Sequence, residues 1–394
     1  MLKSLATILA LIALSPFSHA YVERECPCSK DDGNGLWLDI SIAIDVSAGM
    51  GSESLIMTVG DIASLFPTTA IGNDTGPSPG QTSRIAITTF DTRANTVFGL
   101  NDLTSNNDFN NQIWNIININ TTNPTSSLKV GLSGALSALT KGRADGKRSN
   151  FRQVIIVYTA TCDSTPGDDD PSNIASDIKG DNIDIIMVGY DKIGNGNLKT
   201  CVKNLASPNS AFANTDSNLV GEIQQALCQV NCFCAPLWSN FHSGMKKFGT
   251  CIRLGNSPAL YQAAKHSCNA LAPDSYLVNE FSAQKHNFVV GSAKGDPTFK
   301  VPHLFYIGLT YVNGQWLWEQ QAGSSQIPYV QSNDTSFGWC PGFPDGKETA
   351  GNSCVLETPL SSSETQVCWQ NVPCIPAKYY YCQRNTCDVN NFCP

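Results

Sequence analysis

Long apolar runs alternate with amphipathic stretches between about residues 36 and 227. The run at 36–45 is almost continuously apolar, as is usual for a parallel strand buried on both faces. Residues 55–66 place their apolar side chains at helical spacing. Further strands are predicted at 84–90, 94–100, 153–158 and 183–188, and further helices around 114–117 and at 128–139, 197–206 and 217–227. This order predicts an α/β doubly wound sheet with helices on both faces.

The first twenty residues have the pattern of a secretory signal. Lys3 precedes an apolar run at 5–14, and Ser18 and Ala20 place small side chains at the positions that a signal peptidase inspects. The apolar run is too short to cross a bilayer. We therefore expect cleavage before Tyr21, a secreted extracellular product and no membrane insertion.

Charge and cysteine content narrow the class of protein. The 394 residues include 33 acidic and 25 basic side chains, a net charge of −8 that argues against nucleic-acid binding. The even count of 16 cysteines predicts a disulfide framework in a secreted chain. Twelve of them lie at 228–393, so the last third of the chain is expected to depend on disulfides most.

The end of the first predicted strand carries candidate metal ligands. It reads Asp45-Val-Ser47-Ala-Gly49, and ligands of such sheets bind beyond the carboxyl ends of the strands. A carboxylate and a hydroxyl on one loop can both face a hard divalent cation. Residues 36–228 resemble a von Willebrand factor type A domain, a Rossmann-like fold whose metal site uses Asp-x-Ser-x-Ser, a threonine and a second aspartate. The resemblance implies a metal site at Asp45, Ser47 and Thr125.

This site departs from the family pattern at two places. Gly49 stands at the last serine position, and the third loop reads Thr-Ala-Thr at 159–161 without its aspartate, with Asp163 as the nearest carboxylate. Mg²⁺ prefers six oxygens in an octahedron and releases water reluctantly, so a degenerate site with weak or absent Mg²⁺ binding is expected. The alternative is that Asp45 and Ser47 only cap the following helix.

The pattern changes after Cys234. Three segments of residues 234–384 carry a family pattern: Phe-Tyr-Ile-Gly-Leu at 305–309, Gln-Trp-Leu-Trp-Glu at 315–319 and Trp-Cys-Pro-Gly-Phe-Pro-Asp at 339–345. On these segments, residues 234–384 resemble a C-type lectin domain. The resemblance implies a disulfide-rich α+β fold with the pairs Cys234–Cys251, Cys268–Cys382 and Cys354–Cys374. Two further cysteines are extra to that frame and are candidates to pair with each other, Cys340 and Cys368. Because the ends of a type A domain lie close together, Cys26 and Cys28 are candidates to bond Cys228 and Cys232.

The lectin family binds sugar through Ca²⁺, held by a Glu/Gln-Pro-Asn/Asp triplet, a nearby acid and a Trp-Asn-Asp triplet. Here the triplets read Phe-Pro-Asp at 343–345 and Trp-Gln-Asn at 369–371. Calcium affinity depends on the charge and number of oxygen ligands, so weak or absent Ca²⁺ binding is expected. The degenerate carbohydrate and calcium site comprises Asp345, Glu348, Gln370 and Asn371. The alternative is that Asp345, Gln370 and Asn371 are solvated loop groups.

The expected organisation is a signal peptide at 1–20, a cysteine-containing segment at 21–35, the type A domain at 36–228, the lectin-like domain at 229–386 and a cysteine-containing tail at 387–394. Three Asn-x-Thr sequences in polar loops predict N-glycosylation, at Asn73, Asn120 and Asn333.

Catalytic patterns are missing from the sequence. No nucleophile elbow, phosphate-binding loop or dinucleotide fingerprint occurs, and the histidines beyond residue 19 lack metal-ligand spacing. We predict no enzyme. The pairing of domains resembles secreted lectin-like proteins of nematodes, a group associated with innate immune defence, which implies a glycan or glycoprotein ligand. The alternative is an extracellular adhesion module that binds proteins, without sugar or metal.

Overall fold

The computed structural model describes residues 22–27, 35–73, 80–162, 170–194 and 196–393. They form two compact units. The larger unit comprises 24–254, 268–275 and 382–393, and the smaller unit comprises 22–23, 255–267 and 276–381. The predicted signal segment, Cys28 and Asp163 lie outside the described residues.

Six strands form a sheet in the larger unit. They are β1 (Leu38–Asp45), β2 (Arg84–Phe90), β3 (Ala94–Phe98), β4 (Arg152–Thr159), β5 (Ile183–Gly189) and β6 (Ala211–Ala213). Their order across the sheet is β3-β2-β1-β4-β5-β6. All neighbours are parallel except β2 and β3, which pair antiparallel. Every residue of β1 is buried because this strand lies in the middle of the sheet.

Helices cover both faces of this sheet. They are α1 (Gly51–Leu65), α2 (Asn106–Ile113), α3 (Leu128–Gly142), α4 (Ser172–Gly180), α5 (Asn197–Val202) and α6 (Leu219–Val230). Successive β1 side chains point to opposite faces. Ile42 packs in one apolar cluster with α1 and α6, and Ala43 packs in another with α3 and α4. The predicted doubly wound α/β sheet is confirmed.

A buried ionic network lies at the start of β1. The carboxylate of Asp39 accepts from the Arg84 guanidinium, with Nη2 2.7 Å from Oδ2. Arg148 Nε lies 3.2 Å from Oδ1 of the same carboxylate, and Arg143 Nη1 also contacts Oδ2. Asp39, Arg84 and Arg148 are buried. One carboxylate therefore faces three guanidinium groups and offsets only part of their charge.

The larger unit also contains an antiparallel hairpin, β7 (Ser239–Ser243) and β8 (Lys246–Leu254). The helices that follow are α7 (Tyr261–Leu271) and α8 (Ala283–Gly295). The later strands are β9 (Tyr276–Leu277), β10 (Phe305–Val312), β11 (Gln315–Trp318), β12 (Ile327–Pro328), β13 (Cys354–Pro359), β14 (Val367–Val372) and β15 (Tyr379–Asn385). In the smaller unit, β10 pairs antiparallel with β11 and β13, and parallel with β15.

Disulfides are concentrated in the second half of the chain. The structure joins the four pairs named above, which are Cys234–Cys251, Cys268–Cys382, Cys340–Cys368 and Cys354–Cys374. It also joins Cys26–Cys232, Cys162–Cys201 and Cys387–Cys393. No described helix has both the length and the apolar character needed to cross a membrane.

Candidate functional site

The loops that follow β1 and β4 meet at one edge of the larger unit's sheet. Asp45 is fully buried there. Its Oδ1 accepts a hydrogen bond from the backbone N–H of Ser47 at 2.9 Å. Its Oδ2 accepts from the backbone N–H of Ala160 at 3.1 Å and from the Thr159 hydroxyl at 3.4 Å. The carboxylate therefore ties the two loops together through protein donors.

The loop that carries Thr125 joins the same edge. The backbone N–H of Ala48 donates to the carbonyl oxygen of Asn123 at 2.7 Å. Thr125 is exposed, and its hydroxyl donates to Asn123 Oδ1 at 3.1 Å. The structure thus brings the loops of Asp45, Ser47 and Thr125 together.

The residues at this edge fit a divalent cation poorly. Both Asp45 oxygens already accept hydrogen bonds. The buried Ser47 Oγ, in contrast, has no hydrogen-bond partner among the described residues and is available as a ligand. A Cβ atom added to Gly49 would lie 3.3 Å from that oxygen, so glycine leaves out the ligand that serine would add. One carboxylate and two hydroxyls fall short of the six oxygens that Mg²⁺ prefers.

The helix-cap alternative for Asp45 and Ser47 is wrong. Helix α1 has Met50 as its N-cap residue, and no side-chain hydrogen bond caps it. The Asp45 carboxylate instead accepts from backbone groups of the two loops.

Asp345 and Asn371 contact each other directly in the smaller unit. Asn371 Nδ2 donates to Asp345 Oδ1 at 2.7 Å, and the Asp345 backbone N–H donates to Asn371 Oδ1 at 2.9 Å. Asn352 Nδ2 donates to Asp345 Oδ2 at 3.2 Å, and Lys347 Nζ lies 3.6 Å from that oxygen. The hydrogen bond from Asn371 is the main cause that lowers the pKa of Asp345. Protein donors therefore occupy the carboxylate that a calcium ion would need.

The other two predicted ligands add little to this cluster. Gln370 lies on β14 opposite Leu356, and Glu348 begins a short 3₁₀ helix. Within the described part of the chain, neither side chain forms a hydrogen bond to Asp345. Ca²⁺ takes six to eight oxygens, so these residues fit the ion poorly.

Restoring the missing oxygen ligands should restore calcium binding. We expect the triple variant Phe343→Gln, Gln370→Asn and Asn371→Asp to bind Ca²⁺ at least about tenfold more tightly, because it adds one charge and exchanges an amide donor for ligand oxygens. Isothermal titration calorimetry measures this. Asn313→Asp, in the exposed turn between β10 and β11, adds the same charge elsewhere and should change nothing. An unchanged affinity in the triple variant would show that these three positions do not form a calcium site.

A buried titratable cluster lies beside Trp369, and no pattern in the sequence indicated it. His286 Nδ1 is 2.8 Å from Glu280 Oε2 and 3.1 Å from Glu357 Oε1. Trp369 Nε1 donates to the same two oxygens, at 3.0 and 2.7 Å. Among the described residues, this is the one group of three or more His, Cys, Asp and Glu side chains whose ligand atoms lie within 4.8 Å of one another. His286 therefore does have carboxylate neighbours, although its sequence spacing does not show them.

The cluster compensates its own charge. Burial and the neighbouring Glu280 charge raise the pKa of Glu357 to about 8. Burial opposes protonation of His286, but the charges of Glu357 and Glu280 outweigh it and raise its pKa to about 11. Burial also raises the pKa of Glu280, yet His286 and the hydrogen bonds it receives lower it overall. At neutral pH, an ionised Glu280 thus faces a protonated His286 and a protonated Glu357.

The doubly wound sheet and its loop cluster define the class of the larger unit. Residues 39–226 match the family model of the von Willebrand factor type A domain. Along 94% of its length the chain is 28% identical to the Caenorhabditis elegans protein named C-type lectin domain-containing protein 160. It spans 56% of that relative's length. The predicted combination of a type A domain with similarity to a C-type lectin protein is confirmed.

Solved structures give more distant similarities. The mussel byssus proximal thread matrix protein 1, described with zinc in its MIDAS motif, matches with a TM-score of 0.40 and 22% identity. That match covers 50% of this chain and 47% of the other. Botrocetin matches with a TM-score of 0.24 and 17% identity, covering 39% of this chain and 98% of its own.

Proposed function

We propose that the chain acts in extracellular recognition or adhesion, and that its lectin-like region binds glycans or glycoprotein surfaces without a tightly held calcium ion. The observation that carries the calcium-free form is the pair of hydrogen bonds between Asp345 and Asn371. Beside this pair lie the half-buried Phe343 and Gln370 and the exposed Lys347. An aromatic ring, an amide and an ammonium can bind sugar by stacking and hydrogen bonding alone.

Both the type A domain and the lectin-like region act by binding, and neither acts as an enzyme. For the type A domain we propose extracellular proteins as partners, through the loops around Asp45 and with little or no Mg²⁺. Secretion and a role in innate defence belong to the same proposal. So does glycosylation, and the three acceptor asparagines are exposed: Asn73, Asn120 and Asn333. Seven disulfides among the described residues support an extracellular location.

A second candidate function is protein–protein adhesion without sugar or metal. It is favoured by the internal hydrogen bonds that occupy Asp45 in one unit and Asp345 in the other. In both places the chain's own donors take the position of an ion, so either surface can serve as a preformed protein contact.

A glycan array separates these two functions. The full chain should be retained on a subset of glycans, with retention unchanged to within about twofold when EDTA replaces Ca²⁺, because no ion ligates the sugar. Lys347→Ala should reduce retention, whereas Lys300→Ala, another exposed lysine of the smaller unit, should not. Loss of retention in EDTA would overturn the calcium-free form. Retention on no glycan would favour the protein–protein function.

A further inference from the structure

A cavity of about 460 Å³ lies in the smaller unit, and the residues of the Asp345 cluster are not among those that line it. Its size is within the usual range for small-molecule sites. Aromatic side chains form much of its wall, namely Phe281, Trp318, Tyr329, Phe337, Trp339 and Trp369. These rings form one part of the wall, and the polar segment 331–335 forms much of the rest.

These rings are packed around one indole. Tyr329, Phe337 and Trp339 stand edge-on to Trp369, with ring centroids 5.9, 5.8 and 6.0 Å from it. Trp318 is also edge-on to Trp369, at 5.5 Å. Tyr329, Phe337 and Trp339 are half-buried, so they combine fixed positions with access from solvent. Rings at steep mutual angles give a ligand aromatic contacts on several sides.

The charge along the cavity is negative. Two carboxylates line it, Glu280 and Asp334, and none of its described lining residues is Lys, Arg or His. His286 lies behind the wall, with Nδ1 2.8 Å from Glu280 Oε2, and compensates that carboxylate, so the net negative charge at the cavity is that of Asp334. Glu280 is buried in the wall, and its Oε1 has no hydrogen-bond partner among the described residues. Asp334 is exposed, and the hydrogen bonds from Ser336 lower its pKa, so it is ionised at neutral pH.

We propose that this cavity binds a small organic cation, a methylated ammonium group. Aromatic faces attract such a cation through the ring quadrupole, and the attraction grows when the site is desolvated. A sugar could also stack on the rings and donate hydroxyl hydrogen bonds to the carboxylates, but only a cation gains both from the ring quadrupoles and from the charge of Asp334. The inference goes beyond the proposed glycan recognition and does not depend on it.

Two ligands of the same shape test the proposal. Choline and its uncharged carbon isostere 3,3-dimethylbutan-1-ol are titrated into the full chain, which is produced without a glycan because Asn333 also lines the cavity. Tryptophan fluorescence and calorimetry should show saturable choline binding, at least about tenfold tighter than that of the isostere. Equal affinities would show a merely apolar cavity and overturn the proposal. So would binding of monosaccharides without choline, or no binding at all.

Variants locate the binding. Tyr329→Leu removes one ring but keeps apolar bulk, and it should weaken choline binding about tenfold. Asp334→Ser removes an exposed charge and should weaken it about threefold. The matched control for charge is Asp296→Ser, because Asp296 accepts the same pair of hydrogen bonds, here from Thr298. Tyr311→Leu is the control for ring loss.

Because Asp334 is exposed, Asp334→Ser should fold and can test the proposal even if Tyr329→Leu does not fold. Circular dichroism and thermal unfolding identify folded variants before titration. Choline affinity that is unchanged in folded Asp334→Ser and folded Tyr329→Leu would place the binding elsewhere and overturn the assignment.

Discussion

Replacing Asp39 with asparagine should lower the free energy of unfolding of the larger unit by about 3–5 kcal/mol. The amide keeps the volume of the side chain but removes the negative charge that faces Arg84, Arg143 and Arg148. Buried guanidinium groups would then repel one another without compensation. Hydrogen exchange of the β1 amides measures this loss, because β1 is central to the sheet.

Asp184→Asn is the matched control for this experiment. Asp184, on β5 of the same sheet, pairs with Arg152 at 3.8 Å, and the two side chains are 22% and 28% exposed. Partly exposed ion pairs contribute less than about 1 kcal/mol. Equal losses in the Asp39 and Asp184 variants would contradict the idea that burial of the network sets its importance.

The stability of the smaller unit should fall as the pH rises from about 4.5 to about 8. The pKa of Glu357 in the folded chain is raised from 4.5 to about 8, so in this window the unfolded chain has lost a proton that the folded chain keeps. One such proton corresponds to a slope of about 1.4 kcal/mol per pH unit. The stabilisation is complete below pH 4.5 and is lost through pH 8.

Two neighbours of Glu357 also contribute to the pH dependence of the smaller unit's stability. The raised pKa of His286 makes stability fall further between its ordinary value of 6.5 and about 11. The pKa of Glu280 is lowered, so its contribution is present above 4.5 and is lost only at lower pH. The net expectation is a smaller unit that is most stable at mildly acidic pH.

Glu357→Gln tests the assignment. The amide keeps a neutral side chain at every pH, so the slope between pH 4.5 and 6.5 should nearly vanish. Denaturant unfolding at several pH values, followed by hydrogen exchange of β13, measures it. Glu348→Gln removes a carboxylate that is not in the cluster and should leave the slope as it is. A slope that persists in Glu357→Gln would assign the proton to another group.

The sequence predicted the sheet well because its strands are buried on both faces. The strands predicted at 153–158 and 183–188 correspond to the observed strands β4 (Arg152–Thr159) and β5 (Ile183–Gly189). The helix predicted at 197–206 ends at Val202, and Leu205 and Ala206 are buried in the turn that follows it. Helix α2 was missed because its sequence is polar, although Ser105 caps it.

The sites were harder to predict than the strands. Family positions indicated Asp345 and Asn371, but only the structure shows that the amide donates to the carboxylate. Glu280 and His286 are six residues apart, but Glu357 lies 71 residues beyond His286, so no local pattern marks the cluster. The residues that line the aromatic cavity are likewise spread over 280–369, so no local pattern marks the cavity.

The Cys26–Cys232 bond has a mechanical consequence. It covalently joins the segments before β1 and after α6, so it closes a loop that contains the whole six-stranded sheet. If the chain is pulled from points before Cys26 and after Cys232, the tension passes through the disulfide bond and not through the strands between the two cysteines. Under flow or pulling, the type A domain would therefore keep its shape while the load passes around it.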